Sequence, residues 1–488
     1  MARKSRACRP PNRAQSSLKS RSRSSPPKAS LLDMPNELQS MIMAQVDTRH
    51  ALFNIALTCK HLNTIVEPYL YSNIVIKHCY QQATVFNTIK AKPNLAKHVV
   101  GLYVCRGSKE NYDMRMEDRA YEREPRDCDL LPLFPNIQEF YFKSYDCYLD
   151  RFNDIFARAA KGEILRKLKT CHLFPVVNES IVDQNEWRTD VQSYEAVLKH
   201  PGLEALRLIN LNIGPSMQPS DRPFTSLQRL EIFCSSLNID GLRNVLTYPR
   251  SLKELLIMPN SGYDEMEEDW GAPDFTADML EPVKDSLVKL VITEGITGTS
   301  QEPMKLCRMV ALRHMSVVEN CLFGKSVQQD YEDVTFEMLR TSFPPNLQVW
   351  ELQCYPGDVM RTINPVLAHK DEICPNLERI SVSELLRDEV LMDDLMRFAR
   401  AGIAITFDIR YEKVSNPRDD TDDDDGEVLQ RPITISSEGL CLATSYIDNQ
   451  TIQRLSTKEL DYSVEHCFCS HCDRLPHHRR LNGHGLDL

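Results

Sequence analysis

Residues 252–257 read LKELLI, and the phrase they spell, Leu-x-x-Leu-x-Ile, returns along most of the chain. On either side stand LEALRL at 203–208, LQRLEI at 227–232, LVKLVI at 287–292, LRHMSV at 312–317, LQVWEL at 347–352 and LERISV at 377–382. Leu95 to Val104, Ile137 to Phe142 and Leu165 to Leu173 are more diverged copies. The last two apolar positions of each copy are two residues apart, which predicts a short strand with both side chains on one face. Helix-period segments precede several copies: Val191, Tyr194, Val197 and Leu198 before Leu203, Leu242, Val245 and Leu246 before Leu252, and Phe336 and Leu339 before Leu347. Proline then breaks each helix at Pro201, Pro249 or Pro344. Stacked units of one strand and one helix bury a continuous apolar seam that no single unit could build.

The phrase resembles that of leucine-rich repeats, although its spacing runs from 24 residues (203 to 227) to 42 (95 to 137) and so exceeds the usual range of about 20–29. Asn260 falls where that family places its turn asparagine, and the run from Leu312 through Asn320 to Leu322 fits the whole phrase. The resemblance implies an α/β chain whose main part is an irregular leucine-rich-repeat solenoid of strand–helix repeats. Gly402, followed by Ile403, Ile405, Phe407 and Ile409, reads as the alternating strand that closes it. If the seam residues point inward, those between them line a concave wall: Arg207, Arg229, Glu231, Phe233, Met258, His314, Glu351 and Arg379. Such a mixture of charge, aromatic and methionine suits a protein target.

Ahead of the repeats, residues 31–76 read LLDMPNELQSMIMAQVDTRHALFNIALTCKHLNTIVEPYLYSNIVI. Pro35 suits a first helical turn and Glu37 complements the helix dipole. Leu38, Ile42 and Val46 draw one stripe. Asp47 or Thr48 caps a second helix with Leu52, Ile55 and Ala56, and Thr58 a third with Leu62 and Val66, which Pro68 stops. Ile74 and Ile76 alternate with polar neighbours as in a strand. Three helices this short cannot cover all their apolar surface among themselves.

This segment resembles an F-box, through Leu32, Met34, Pro35, Leu38, Ile42, Leu52, Leu57, Cys59, Lys60 and Leu62, and its exit, Pro68, Leu70, Tyr71 and Ile74, is similar to fungal members of that family. Met34 stands where the family often has leucine, and Leu62 where many animal members have tryptophan. The resemblance implies that Leu32, Met34, Pro35, Leu38, Ile42, Leu52, Leu57, Cys59 and Leu62 dock into a groove of a Skp-type adaptor and, through it, reach a cullin. The chain would then be the substrate receptor of an SCF-type cullin-RING ubiquitin ligase, which binds and places a target without making bonds itself. A leucine-rich-repeat scaffold acting without a cullin is the alternative.

The remainder of the 488 residues sorts by charge. The tail up to residue 29 bears only basic charges among serine and proline, a composition that builds no core. Nuclear import or nucleic-acid contact, a mitochondrial transit peptide and a solvated tail are all open there; nucleic acid has no other foothold in the sequence. The acids Asp419, Asp420, Asp422 to Asp425 and Glu427 mark a linker over 411–433. The expected divisions are therefore a tail at 1–29, adaptor-binding helices at 30–76, repeats at 77–410, the acidic linker, and a C-terminal tail at 434–488. In that last tail Cys467, Cys469, Cys472 and His477, beside His466, His471 and His478, could ligate zinc, though the spacing matches no standard finger. No other cofactor is expected.

Cys59, Cys105, Cys147, Cys234 and Cys354 read as reduced, half-buried thiols. No run of about 18 apolar residues marks a membrane span, so the expected place is cytosol or nucleus. Phosphate-cradling glycine loops and HExxH are absent from the sequence, which points away from an enzyme. A hydrolase or transferase in the irregular middle would need a deep polar pocket. The insertions Arg106 to Asp127 and Asp264 to Trp270 are further candidate binding loops.

Overall fold

A computed structural model describes residues 30–435 apart from 106–126, 145–148, 176–188, 191–194, 210, 215–216, 222, 236, 260–276, 294–302, 325–333, 354–358, 386–400, 402 and 411–429. The basic tail, both candidate binding loops except Asp127, Asn260, Cys147, Cys354, the acidic run and the Cys/His cluster lie outside these residues. Two compact units divide between Val66 and Glu67, ahead of the expected division at 76, because the strand before that position belongs to the sheet.

The first unit is helical, and the division falls inside its third helix. A 3-10 turn, Leu31–Asp33, opens with a capping box between Ser30 and Asp33. It leads into α1 (Asn36–Ala44), α2 (Arg49–Thr58) and α3 (Lys60–Leu70). Pro35 is the N-cap of α1 rather than a residue of its first turn, and Val46 lies beyond the helix. Thr48 caps α2 by accepting from the Ala51 amide at 3.3 Å. Thr58 does not cap α3 as expected: its hydroxyl donates back to the Ile55 carbonyl at 2.7 Å, and the Cys59 sulfur takes the Leu62 amide at 3.5 Å instead. Nor does Pro68 stop α3, which continues to Leu70. So near the end of a helix, proline forfeits one hydrogen bond and leaves little helix beyond it to disturb.

The second unit is a mixed α/β region built on one large sheet. Its strands are β1 (Asn73–Ile76), β2 (Gly101–Cys105), β3 (Glu139–Ser144), β4 (Thr170–Pro175), β6 (Ala205–Ile209), β8 (Arg229–Ser235), β9 (Glu254–Pro259), β10 (Lys289–Ile292), β11 (His314–Val318), β12 (Val349–Gln353), β13 (Arg379–Leu385), β14 (Ala404–Arg410) and β15 (Gln430–Ile435). The two-residue strands β5 (Thr189–Asp190) and β7 (Leu211–Asn212) pair separately. Order in space is order in sequence throughout the large sheet, and all its pairings are parallel except the last. β14 therefore does not close the sheet; β15, from the stretch expected to be linker and tail, adds to it antiparallel, Arg410 opposite Gln430.

The repeated phrase sets the register. Leu206, Leu230, Leu255, Leu290, Met315, Trp350 and Ile380 stand side by side, and so do Leu208, Ile232, Ile257, Ile292, Val317, Leu352 and Val382. All are buried in one apolar cluster. The diverged copies supply Leu102, Phe140 and Cys171 to the first row and Val104, Phe142 and Leu173 to the second. Phe142 meets Phe152 edge-on with centroids 4.6 Å apart, so aromatic rings fill the space that leucines fill elsewhere. Helices Ile239–Val245 and Phe336–Ser342 fall where the periodicity put them, capped by Asn238 and Thr335. Of the helix expected before Leu203, the described part is Glu195–Leu198. Asn320 sits in a short helix, Glu319–Phe323, instead of a turn.

One connection carries backbone strain. Helix Leu149–Ala160 ends with Gly162 at φ 72°, its amide bonded to Ala159 O and that of Glu163 to Arg158 O, a left-handed cap that suits glycine. Three residues on, Leu165 also adopts a positive φ, 52°, where a side chain is unfavourable. Buried His200 braces it: the Gly202 amide donates to Nδ1 at 3.2 Å, which assigns the proton to Nε2, 3.1 Å from the Leu165 carbonyl. Burial holds the ring below the ordinary histidine pKa of 6.5, against a smaller opposing influence from the Leu165 bond. Between the two values the unfolded chain takes up a proton that the folded chain refuses. Stability is therefore intact above 6.5 and lost as pH falls from there through the folded value. A His200→Gln variant should show a flatter dependence of its urea midpoint on pH between about 7.5 and 5.5; identical slopes for the two proteins would disprove the assignment.

Candidate functional site

Among the described residues the large apolar side chains left exposed are Leu32, Met34, Leu38, Met41, Ile42, Phe53, Leu57 and Val310. All but Val310 lie between residues 32 and 57. Leu38, Met41 and Ile42 share one side of α1, at helical spacings of three and four, while Phe53 and Leu57 share one side of α2. Leu57 is the most exposed at 69%. Pro35 is exposed beside them and Cys59 is half-buried.

Leu52 and Leu62, which the sequence reading placed with this set, lie apart from it. Both are 7% exposed and, with Met43 and Val66, are the buried apolar residues of the three helices. They offer little open surface. Met41 and Phe53 were missed, although Met41 lies three residues after Leu38 on the stripe already drawn.

Gln39 was missed as well. Its side chain is buried, donates from Nε2 to the Met34 carbonyl at 2.6 Å, and lies 3.0 Å through Oε1 from His61 Nε2.

The second candidate is the polar face of the sheet, where the residues between the seam positions come up. Arg207 on β6 and Arg229 on β8 both bond to Glu231, whose side chain is only 4% exposed. Arg229 also reaches Glu254 on β9 at 3.5 Å. A buried carboxylate is tolerable only when paired, and the two guanidinium groups supply that pairing. The Arg207 guanidinium lies 5.2 Å from the Phe233 ring centroid, and Phe233 stands opposite Met258. Five of the expected wall residues thus form one cluster.

His314 and Glu351 form another, with Nε2 and Oε1 2.9 Å apart. The approach is close, but His314 Nε2 is not aligned for a hydrogen bond. Burial is the largest single influence on Glu351 and opposes its charge; His314, Lys289 and Ser316 together outweigh it and hold the carboxyl below its ordinary pKa. Arg379 is exposed at the same level of the sheet, opposite Val349, and joins neither cluster.

Sequence reasoning also missed the aromatic end of this face, because it rests on the diverged copies. Tyr103 bonds to Glu139, Tyr141 meets the His172 ring edge-on at 5.9 Å, and Lys143 lies 5.1 Å from the Phe174 ring centroid. Burial, then the Glu139 bond, push the Tyr103 pKa up. Cys105 on the same face is raised to about 11, chiefly by burial, which leaves little thiolate near neutral pH. No group of three or more potential metal ligands occurs among the described residues, and the proposed zinc ligands lie outside them. No described helix is long and apolar enough to cross a membrane.

No curated protein matches the chain. Residues 31–105 match the family model of the COS11 F-box domain, from the 3-10 turn through α1, α2 and α3 to β2. The chain thus carries an F-box domain of the fungal type, in the segment whose apolar side chains stand open, and is by that domain an F-box protein.

Proposed function

We propose that this protein is the substrate-recognition subunit of an SCF-type cullin-RING ubiquitin ligase, non-catalytic itself. The apolar surface of α1, α2 and the turn before them enters a groove on a Skp-type adaptor, the adaptor reaches a cullin, and the strand repeats hold the target. The observation that carries this reading is the crowding of exposed large apolar side chains into residues 32–57 inside the F-box match. Soluble proteins rarely leave so many together unless a partner covers them. Helix-in-groove docking is a common answer.

For the target side, the support is a chain-ordered parallel sheet in which the same phrase supplies the same two inward positions again and again. That supports a leucine-rich-repeat-like solenoid, in which each unit contacts only its neighbours. Its polar face presents Arg207, Phe233, Met258, His314 and Arg379, residue types suited to gripping protein. Holding a target near a transfer centre raises its effective concentration there, which is the whole of the chemical contribution. Action in the cytosol or nucleus follows from this role.

The test is reconstitution of the purified full-length chain with a purified Skp-type adaptor and a cullin, followed by size-exclusion chromatography. The expected result is one peak containing all three. A peak with adaptor but no cullin would favour a scaffold acting outside the ligase, and separate elution of all components would overturn the adaptor reading.

A further inference from the structure

Between the 3-10 turn and α1 lie backbone carbonyls that neither hydrogen-bond ladder takes up, and that of Met34 is the last of them. The turn ends with the Met34 amide on Leu31 O, and α1 begins with the Gln39 amide on Pro35 O. Met34 O lies between them. The group that takes it up is the side-chain amide of Gln39, at 2.6 Å.

Gln39 is 1% exposed, unusual for a glutamine on a helix with apolar neighbours. Its other end is equally engaged. Because Nε2 of Gln39 is the donor to Met34 O, Oε1 is the acceptor, and His61 Nε2 at 3.0 Å must donate to it. One buried side chain therefore ties the peptide before Pro35 to α1 and α1 to α3. The tie fixes the backbone at Met34, which is extended at φ −80° and ψ 150°, and with it the direction in which Leu32, Met34 and Pro35 stand relative to Leu38 and Ile42.

We infer that Gln39 is a positioning residue for adaptor docking: it touches no partner but holds the segment before α1 in its docking arrangement. This rests on the adaptor reading above. A segment held in its bound geometry before association loses less conformational freedom on binding. Without the tie, Leu32 and Met34 would have to be ordered by the adaptor itself.

Two variants separate positioning from packing. Gln39→Met keeps the length and burial of the side chain and removes both hydrogen bonds; His61→Phe removes only the contact to α3, from an exposed position. Titration of the full-length wild-type chain with a purified Skp-type adaptor comes first, and an absence of binding there sinks the docking reading itself. Given wild-type binding, Gln39→Met is expected to weaken it about ten-fold, the scale of one or two net hydrogen bonds, and His61→Phe by less. Hydrogen exchange of the free proteins should show faster exchange at the amides of Leu32 to Leu38 in Gln39→Met, with α2 unchanged. If Gln39→Met binds and exchanges like wild type, Gln39 merely fills space and the inference fails. Should that variant prove unstable, wild-type affinity and exchange in His61→Phe would overturn the tie to α3 on which the inference depends.

Discussion

A chain carrying Leu38→Asp together with Leu57→Lys is expected to fold normally and to lose its affinity for a Skp-type adaptor by on the order of 100-fold or more. Leu38 is 48% and Leu57 69% exposed, so neither supports the fold greatly, and surface changes of this kind usually move stability by no more than about 0.5 kcal/mol. The charges are matched to position: aspartate in the first turn of α1 and lysine in the last turn of α2 both favour the helix dipole. In an apolar groove the balance reverses. Full burial of an exposed leucine is worth about 1.5–3 kcal/mol, of which each half-exposed leucine forfeits roughly half, and each new charge must in addition be stripped of water unless it turns aside. Burial and desolvation together pass about 3 kcal/mol, a hundred-fold in binding. Calorimetric titration, with thermal unfolding as the control, reads the effect. An affinity within three-fold of wild type, in a protein that still unfolds cooperatively, would remove these two side chains from the interface.

Replacing Trp350 by alanine should cost about 3–5 kcal/mol of stability, the range for deleting a large aromatic side chain from a core. The residue is fully buried on β12, between Met315 of β11 and Ile380 of β13, and meets Phe343 edge-on with centroids 5.0 Å apart. Its indole N–H has no acceptor among the described protein groups, so Trp350→Phe sacrifices no hydrogen bond to the protein and should cost much less, roughly 1–2 kcal/mol. Urea midpoints for the two variants check the ranking. The loss should also be local: amides of β11 to β13 should exchange faster in Trp350→Ala while those of β2 to β4 keep their protection. Equal midpoints for alanine and phenylalanine would show that the ring is not what the core uses.

Most of the sheet was legible in the sequence because one phrase specified both strand and facing. Leu255 and Ile257 face the seam for the same reason as Leu230 and Ile232: a period of two leaves no alternative once one face is apolar. The expected wall residues consequently came out on the polar face. What failed to show was information that does not live in local pattern. α2 is apolar on more than one side, so periodicity could not say that Leu52 turns inward while Phe53 and Leu57 turn out; in α3 the single apolar face of Leu62, Ile65, Val66 and Tyr69 did carry that information for Leu62. Gln39 reads as an ordinary surface residue until His61, 22 positions away, is seen beside it. β15 was hidden by the acidic run before it, and the aromatic end of the polar face by the substitution of phenylalanine for leucine at Phe140 and Phe142.

In the large sheet no strand depends on one that is remote in the chain. Such a construction is tolerant of editing: a unit can be lengthened between strands, as the uneven spacing of the phrase records, without altering which strands meet. It also confines failure, since a break at any rung leaves the strands before it with their partners intact. The protein can therefore vary the surface the sheet shows, rung by rung, without any change to the helices that precede the sheet in the chain.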